Sequence, residues 1–114
     1  MNGIQHRDLA AGRWGELSLV EQLGNIGSEI SRATKWTERN PALAQGALWR
    51  ALELFDLTVD DPRLRASPAR LREIRRAREV VVDFYAGSNQ YGSTAASLQK
   101  YFDAFAIAAR ARRS

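Results

Sequence analysis

A dense group of arginines in the second half of the chain is the feature best suited to chemistry with a partner. Seven arginines lie between Arg63 and Arg78, and Glu73 is the only acidic residue among them. Residues 1–62 carry six basic and nine acidic side chains, a net charge of −3, whereas residues 63–114 carry eleven basic and four acidic side chains, a net charge of +7. This separation of charge favours a polyanion or an acidic protein surface as the partner.

Three of these arginines, Arg72, Arg75 and Arg76, are predicted to share the outward face of one helix, and the planar guanidinium group suits paired contacts with phosphate. We predict that arginines of this group bind nucleic acid, either RNA or DNA, together with three arginines near the end of the chain. The predicted contact residues are Arg63, Arg65, Arg70, Arg72, Arg75, Arg76, Arg110, Arg112 and Arg113. The alternative is a solvated face on which Arg75 pairs with Glu79, and Arg76 pairs on the side of Asp83.

Arg70 and Arg78 fall on or beside the apolar stripe of the same helix. A charge at such a position must reach solvent along its aliphatic stem or pair with a carboxylate. The candidate partners are Glu29 and Asp56, on the two preceding helices. We therefore expect Arg78, Glu29 and Asp56 to supply a structural ion pair that fixes the register of the helices, with a ligand-binding role as the alternative.

The sequence lacks a catalytic or metal-binding pattern. His6 is the only histidine and there is no cysteine, so the usual ligands for zinc are missing. A Ser-His-Asp arrangement would depend on this single histidine, which falls in a predicted N-terminal arm. We expect no enzymatic activity, no metal and no cofactor. A small helical nuclease or a ligand-binding bundle is the remaining enzymatic alternative.

The first of four predicted helices begins at Ser18, which is expected to form a capping box with Glu21. Apolar residues then recur at steps of three and four, which places them on one face of a helix. Gly24 and Gly27 add a strip of small residues to this helix. Such a strip would let another backbone approach closely or let the helix bend.

Three further helices are predicted, and proline or glycine marks most of their boundaries. The second runs from Asn40-Pro41 to about Thr58, the third from Ser67-Pro68 to Gly87, and the fourth from about Thr94 after a flexible loop. Between the second and the third, Asp60-Asp61-Pro62 is interpreted as a break in helical structure.

The predicted fold class is all-α, because no segment alternates with the period of two that a strand requires. Short connections between the helices favour antiparallel neighbours. We predict an antiparallel up-and-down four-helix bundle over residues 18–114, with residues 1–17 as an N-terminal arm or short helix. A three-helix core with a loosely docked fourth helix is the alternative.

Large apolar side chains on outer helical faces indicate a protein interface. Trp49 and Leu57 are predicted to point away from the inner stripe of the second helix, and Ile107 away from that of the fourth. Together they suggest self-association. The alternative for Trp49 is that it covers the N-terminal arm, including Trp14.

Nothing in the sequence points to a membrane. The first eleven residues include Arg7 and Asp8 and lack the apolar stretch of a signal peptide. No apolar run approaches the roughly 20 residues that a transmembrane helix needs. We expect a cytoplasmic protein, in agreement with the absence of cysteine.

Three stretches of the chain resemble a small prokaryotic all-helical family. They are residues 7–14 (RDLAxGRW), 17–29 (LSLxEQLxNIGSE) and 50–58 (RALELxDLT). In shape and charge the protein is also similar to the accessory proteins of diversity-generating retroelements, which are small basic four-helix bundles that oligomerise. This resemblance implies a role beside a reverse transcriptase and its template RNA. No site residue carries over, because the motifs do not match residue by residue.

The sequence therefore favours a non-enzymatic, basic helical adaptor that binds nucleic acid or a ribonucleoprotein through its phosphates. The alternative is a protein-interaction module, antitoxin-like or an assembly subunit, whose basic face meets an acidic partner.

Overall fold

The chain forms six helices in a computed structural model, which describes residues 12–113, with side chains described as far as residue 111. The helices are α1 over residues 12–16, α2 (Leu19–Trp36), α3 (Pro41–Val59), α4 (Pro62–Arg65), α5 (Pro68–Ala86) and α6 (Ala95–Arg113). No strand occurs between residues 12 and 113. The predicted all-α class is confirmed, whereas the antiparallel bundle remains a prediction.

The starts of the long helices follow from local capping. The Ser18 hydroxyl accepts the Glu21 N–H at 3.1 Å, and the Glu21 carboxylate accepts the Ser18 N–H at 3.0 Å, so the predicted capping box is confirmed. At the start of α3, the side chain of Asn40 accepts the Leu43 N–H at 3.3 Å, and Pro41 occupies the first helical position. Each cap satisfies backbone donors that the first turn leaves unpaired.

One short helix was not predicted, because the residues that break α3 also begin the next helix. Asp61 is the N-cap of α4, and its carboxylate accepts the Arg63 N–H at 2.9 Å. Pro62 follows at the first helical position, where its missing N–H costs nothing. The break predicted at Asp60-Asp61-Pro62 is therefore a turn into α4.

The core lies between α2, α3, α5 and α6, and α2 packs closely against both α3 and α6. The edge of the Phe55 ring meets the Phe102 ring, with their centroids 6.0 Å apart. Helix α5 reaches α2 near its C-terminal end, where the Tyr85 hydroxyl lies 2.6 Å from that of Thr34. The buried cluster contains Trp14, Leu23, Ile26, Ile30, Ala51, Phe55, Leu64, Ile74, Val81, Leu98 and Phe102.

The two glycines of α2 lie where α6 comes closest. A Cβ atom added to Gly27 would lie 2.6 Å from Cβ of Phe102, and one added to Gly24 would lie 3.3 Å from Cα of Ala106. The predicted close approach of a second backbone is therefore confirmed. Gly24 faces Ala106, and Gly27, one turn later on α2, faces Phe102, one turn earlier on α6. These two helices therefore run antiparallel.

The segment predicted as an arm contributes to the core in its described part. Trp14 of α1 is 9% exposed, and its indole Nε1 donates to the Thr58 hydroxyl at 2.9 Å. Trp49 lies nine residues before Thr58 on α3 and is 58% exposed, and most of the arm that it would cover in the alternative lies outside the described residues. His6 lies outside the described residues.

Candidate functional site

Arg63 belongs to a partly buried polar cluster that joins α1, α2 and α4. Its Nη2 lies 2.6 Å from Oδ2 of Asp61 and donates to the Leu17 carbonyl at 2.7 Å, while its Nε donates to Oδ1 of Asp61 at 3.0 Å. Gln22, which is fully buried, donates from Nε2 to the Trp14 carbonyl at 2.9 Å and to Asp61 at 3.2 Å. We call Trp14, Gln22, Asp61 and Arg63 the polar clasp.

The clasp changes the ionisation of its carboxylate. The hydrogen bond from the Arg63 side chain is the main cause that lowers the pKa of Asp61 to about 2, although burial acts in the opposite direction. The same interaction raises the pKa of Arg63. The guanidinium group of Arg63 already donates to the Asp61 carboxylate and to the Leu17 carbonyl. A phosphate contact, as predicted for Arg63, would therefore have to replace hydrogen bonds within the protein.

The expected ion pair of Arg78 involves one of its two candidate partners. Nε of Arg78 lies 3.0 Å from Oδ1 of Asp56, and the Arg78 side chain is 35% exposed. Glu29 instead lies 3.1 Å from Arg32 on its own helix and 3.1 Å from Arg50 on α3. Of the two candidates, Asp56 is therefore the partner of Arg78, while Glu29 joins α2 to α3 through Arg50.

Two arginines of α5, Arg72 and Arg75, are exposed and have no carboxylate partner among the residues described. They are three positions apart and therefore neighbours on the helical surface. Glu79, the alternative partner of Arg75, lies beside Arg76 instead. Asp83 is also taken, because its carboxylate accepts the N–H groups of the two loop residues Gln90 and Tyr91.

Three further arginines of α4 and α5 form long, solvent-exposed ion pairs. Arg65 lies 3.6 Å from Asp60, Arg70 lies 3.7 Å from Glu73, and Arg76 lies 3.9 Å from Glu79. Exposed pairs of this kind contribute about 0–1 kcal/mol to stability. They can therefore be exchanged for a phosphate at little cost. We call Arg65, Arg70, Arg72, Arg75 and Arg76 the arginine surface.

The predicted contact residues at the end of the chain do not line the same part of the molecule. Arg110 borders a groove between α2 and α6, together with Arg32 and Lys35 of α2. The side chains of Arg112 and Arg113 lie outside the described residues. The arginine surface is therefore formed by α4 and α5 without a described contribution from the end of α6.

The loop after α5 is held in place by hydrogen bonds, whereas the sequence predicted a flexible loop. Asn89 has a φ of 55° and exchanges two hydrogen bonds with Ser93, each of 2.9 Å. This geometry keeps Tyr91 beside α5, where its ring centroid is 5.7 Å from the Arg76 guanidinium and its hydroxyl donates to Glu79 at 3.2 Å. Tyr91 is 48% exposed, so an aromatic ring borders the arginine surface.

A cleft of about 260 Å³ lies between α5 and α6, next to the arginine surface. Its apolar lining consists of Ala77, Val80, Leu98, Tyr101 and Phe102, and its polar lining consists of Glu73, Arg76, Ser93 and Ser97. The Tyr101 hydroxyl donates to Glu73 at 3.2 Å. Burial is the main cause that raises the pKa of Tyr101 to about 12, with the negative charge of Glu73 adding to the effect.

The predicted interface residues differ in exposure. Trp49 and Ile107 are each 58% exposed, and Leu43, which the sequence analysis did not select, is 51% exposed. Leu57 is half-buried and packs against the core, so it does not point away from the bundle as predicted.

These features define an all-helical protein with a basic helix and an adjoining apolar cleft. The described residues contain no group of three or more histidine, cysteine or acidic side chains that would hold a metal ion. None of the described helices has the length and apolar character needed to cross a membrane. Comparison of the chain with protein-family models, with curated proteins and with solved structures gives no match.

Proposed function

We propose that the protein is a non-enzymatic adaptor that binds nucleic acid, RNA or DNA, alone or within a ribonucleoprotein. The observation that carries the proposal is the exposed pair Arg72 and Arg75, which have no carboxylate partner among the residues described. Guanidinium groups that are exposed and unpaired are free to make charge-assisted hydrogen bonds with phosphate oxygens.

The neighbours of this pair extend the proposed contact. The ion pairs of Arg65, Arg70 and Arg76 are long and exposed, so these side chains can turn from a carboxylate to a phosphate. The proposed contact does not include Arg63 and Arg78, because their ion pairs with Asp61 and Asp56 are shorter than those of the other arginines. Such contacts follow the sugar-phosphate backbone, so the binding is expected to depend on salt and only weakly on sequence.

The proposal includes an arrangement of the helices and a cellular context. We infer that α2, α3, α5 and α6 form an antiparallel up-and-down bundle, which the opposed directions of α2 and α6 support. The similarity to accessory proteins of diversity-generating retroelements suggests a reverse transcriptase and its template RNA as the partners. That role would place the protein in the cytoplasm.

Neutralising the pair tests the proposal. Arg72→Gln combined with Arg75→Gln is expected to weaken binding of a labelled oligonucleotide by roughly 10- to 100-fold near 0.1 M salt, because two phosphate contacts are lost. The matched control is Arg13→Gln combined with Arg39→Gln, which removes the same charge from two exposed positions elsewhere. Fluorescence anisotropy would measure both. An equal loss in the two double variants would show that only net charge matters, against the proposal.

The exposed apolar side chains favour a protein partner as a second candidate function. Trp49 and Ile107 are large, apolar and more than half exposed, as is common for residues that become buried in an interface. In this alternative the arginine surface meets an acidic protein, or the chain associates with itself. The oligonucleotide titration separates the two functions, because a surface shaped for an acidic protein leaves the oligonucleotide unbound at moderate salt.

A further inference from the structure

The cleft between α5 and α6 has the walls of a binding site for a flat ring. Tyr101 contributes accessible aromatic surface from α6, where the lining residue Phe102 is almost fully buried, while Ala77 and Val80 contribute small apolar side chains from α5. Its volume of about 260 Å³ lies below the ~300–1,000 Å³ of typical sites for drug-sized ligands. The space therefore suits one ring system better than a folded segment of a partner protein.

The charged side chains at the mouth of the cleft indicate which charged group of a ligand would lie next to its ring. Arg76 lines the cleft, and Arg72 lies one helical turn before it on the arginine surface. The aromatic ring of Tyr91 lies against the same Arg76 guanidinium. An occupant with a ring in the cleft can thus place a negative charge against Arg76, in exchange for the long ion pair of Arg76 with Glu79. A nucleotide unit of a nucleic-acid strand has this combination of groups.

The polar residues of the lining provide partners for the edge of a base. Ser93 offers a hydroxyl that both donates and accepts, and Glu73 offers carboxylate lone pairs beyond the one that accepts from Tyr101, whereas the Ser97 hydroxyl is bonded to the backbone of Thr94. A base in a duplex cannot reach them, because it is stacked and paired inside the helix. An unpaired base is free to enter an apolar cleft and stack on aromatic side chains.

We propose that the α5–α6 cleft receives an unpaired base of a single-stranded nucleic acid while the adjoining phosphates lie on Arg72 and Arg76. This inference rests on the proposed function and narrows its ligand to single strands. A duplex presents more phosphates per unit length than a single strand of the same number of nucleotides. Phosphate contacts alone would therefore favour the duplex. Tighter binding of the single strand would show that contacts to the bases contribute to the affinity.

Filling the cleft provides the test in the full-length protein. Ala77→Leu places a larger side chain in the lining, and Ala69→Leu adds the same atoms at an exposed position on the same helix. Anisotropy titrations would use a labelled single strand of about 12 nucleotides and a duplex of the same strand length. Ala77→Leu is expected to weaken single-strand binding about tenfold, since one stacked base is lost, and to leave duplex binding unchanged. Ala69→Leu is expected to change neither.

A second pair of variants approaches the cleft from α6, in case Ala77→Leu impairs folding. Ser97→Leu fills the opposite lining, and its control is Ser97→Ala, which loses the same hydrogen bonds to Thr94 without adding volume. A fluorescent adenine analogue in the single strand supplies an independent readout, because its emission falls when the base stacks on an aromatic ring. That quenching should occur with the native protein and be lost in Ser97→Leu.

The possible outcomes separate this inference from the proposed function. If neither probe binds at low salt, the proposed function fails and the cleft proposal fails with it. If both probes bind, the duplex at least as tightly as the single strand, and the cleft variants behave as their controls, the proposed function stands and the cleft proposal is overturned. Selective loss of single-strand binding in the cleft variants supports the proposal.

Discussion

Asp61→Ala is expected to lower the free energy of unfolding by about 3 kcal/mol, because this carboxylate joins several elements of the fold. Its side chain is 5% exposed, caps α4 and pairs with Arg63 at 2.6 Å. Gln22, which is fully buried, also donates to it. The substitution removes the cap and leaves Arg63 and Gln22 with only their backbone acceptors, the carbonyls of Leu17 and Trp14. Equilibrium unfolding in urea, followed by far-UV circular dichroism, would measure the change.

The neighbouring residue provides a control that differs in burial. Asp60 pairs with Arg65 at 3.6 Å, and its side chain is 72% exposed. Asp60→Ala should change the free energy of unfolding by less than about 0.5 kcal/mol. If Asp61→Ala cost no more than Asp60→Ala, the polar clasp would not stabilise the fold in the way described.

The clasp also predicts the dependence of stability on pH. The folded protein holds the pKa of Asp61 at about 2, below its ordinary value of 3.8. The resulting stabilisation is complete above that ordinary value and is lost as pH falls from about 5 towards 2. Unfolding midpoints measured across this range should fall less steeply in Asp61→Ala than in the native protein, because the variant lacks the group that titrates.

Gly27→Ala and Gly46→Ala are expected to change stability in opposite directions, by a total difference of about 3 kcal/mol. Both glycines lie inside long helices, where alanine gains about 1 kcal/mol in helix propensity. At Gly27 the new methyl group would lie 2.6 Å from Cβ of Phe102, so α2 and α6 must separate. At Gly46 it would lie 3.6 Å from the Arg50 guanidinium, an ordinary contact.

Thermal and urea unfolding of the two glycine variants would measure this difference. Gly27→Ala should be less stable than the native protein by about 2 kcal/mol, since overpacking exceeds the gain in propensity. Gly46→Ala should be more stable by up to about 1 kcal/mol. A Gly27→Ala variant as stable as Gly46→Ala would mean that α6 does not pack on α2 at this position.

Local signals in the sequence were sufficient to predict the long helices. Capping depends on residues only a few positions apart, so Ser18 with Glu21 and Asn40 with Pro41 identified the starts of α2 and α3. The spacing of apolar residues predicted the buried face of α2. Helix α4 was missed, because Asp61-Pro62 is equally a helix breaker and a helix start, and only the tertiary position of the next turn decides between them.

The sequence predicted which arginines belong to the candidate site, but not which of them are held in ion pairs within the protein. Arg63 and Arg65 occupy similar positions in the sequence, yet Arg63 is held in the polar clasp and Arg65 remains exposed. Asp61 lies only two residues before Arg63, but the Leu17 carbonyl and Gln22, which complete the clasp around this pair, approach from a distant part of the chain. Gln22 carried no sequence signal, since a glutamine beside an apolar stripe is usually solvated. The ordered position of Tyr91 likewise depends on the tertiary contact of its loop with Asp83.

The salt dependence of binding would show whether the arginine surface contacts the phosphates of a nucleic acid. A labelled single-stranded RNA of about 12 nucleotides, titrated with the native protein from about 50 to 200 mM salt, should bind with a log–log slope of roughly −2 to −4, as expected when three to five arginines replace counterions. No binding at the lowest salt, or a slope near zero, would contradict the claim that the arginine surface of α4 and α5 contacts nucleic-acid phosphates.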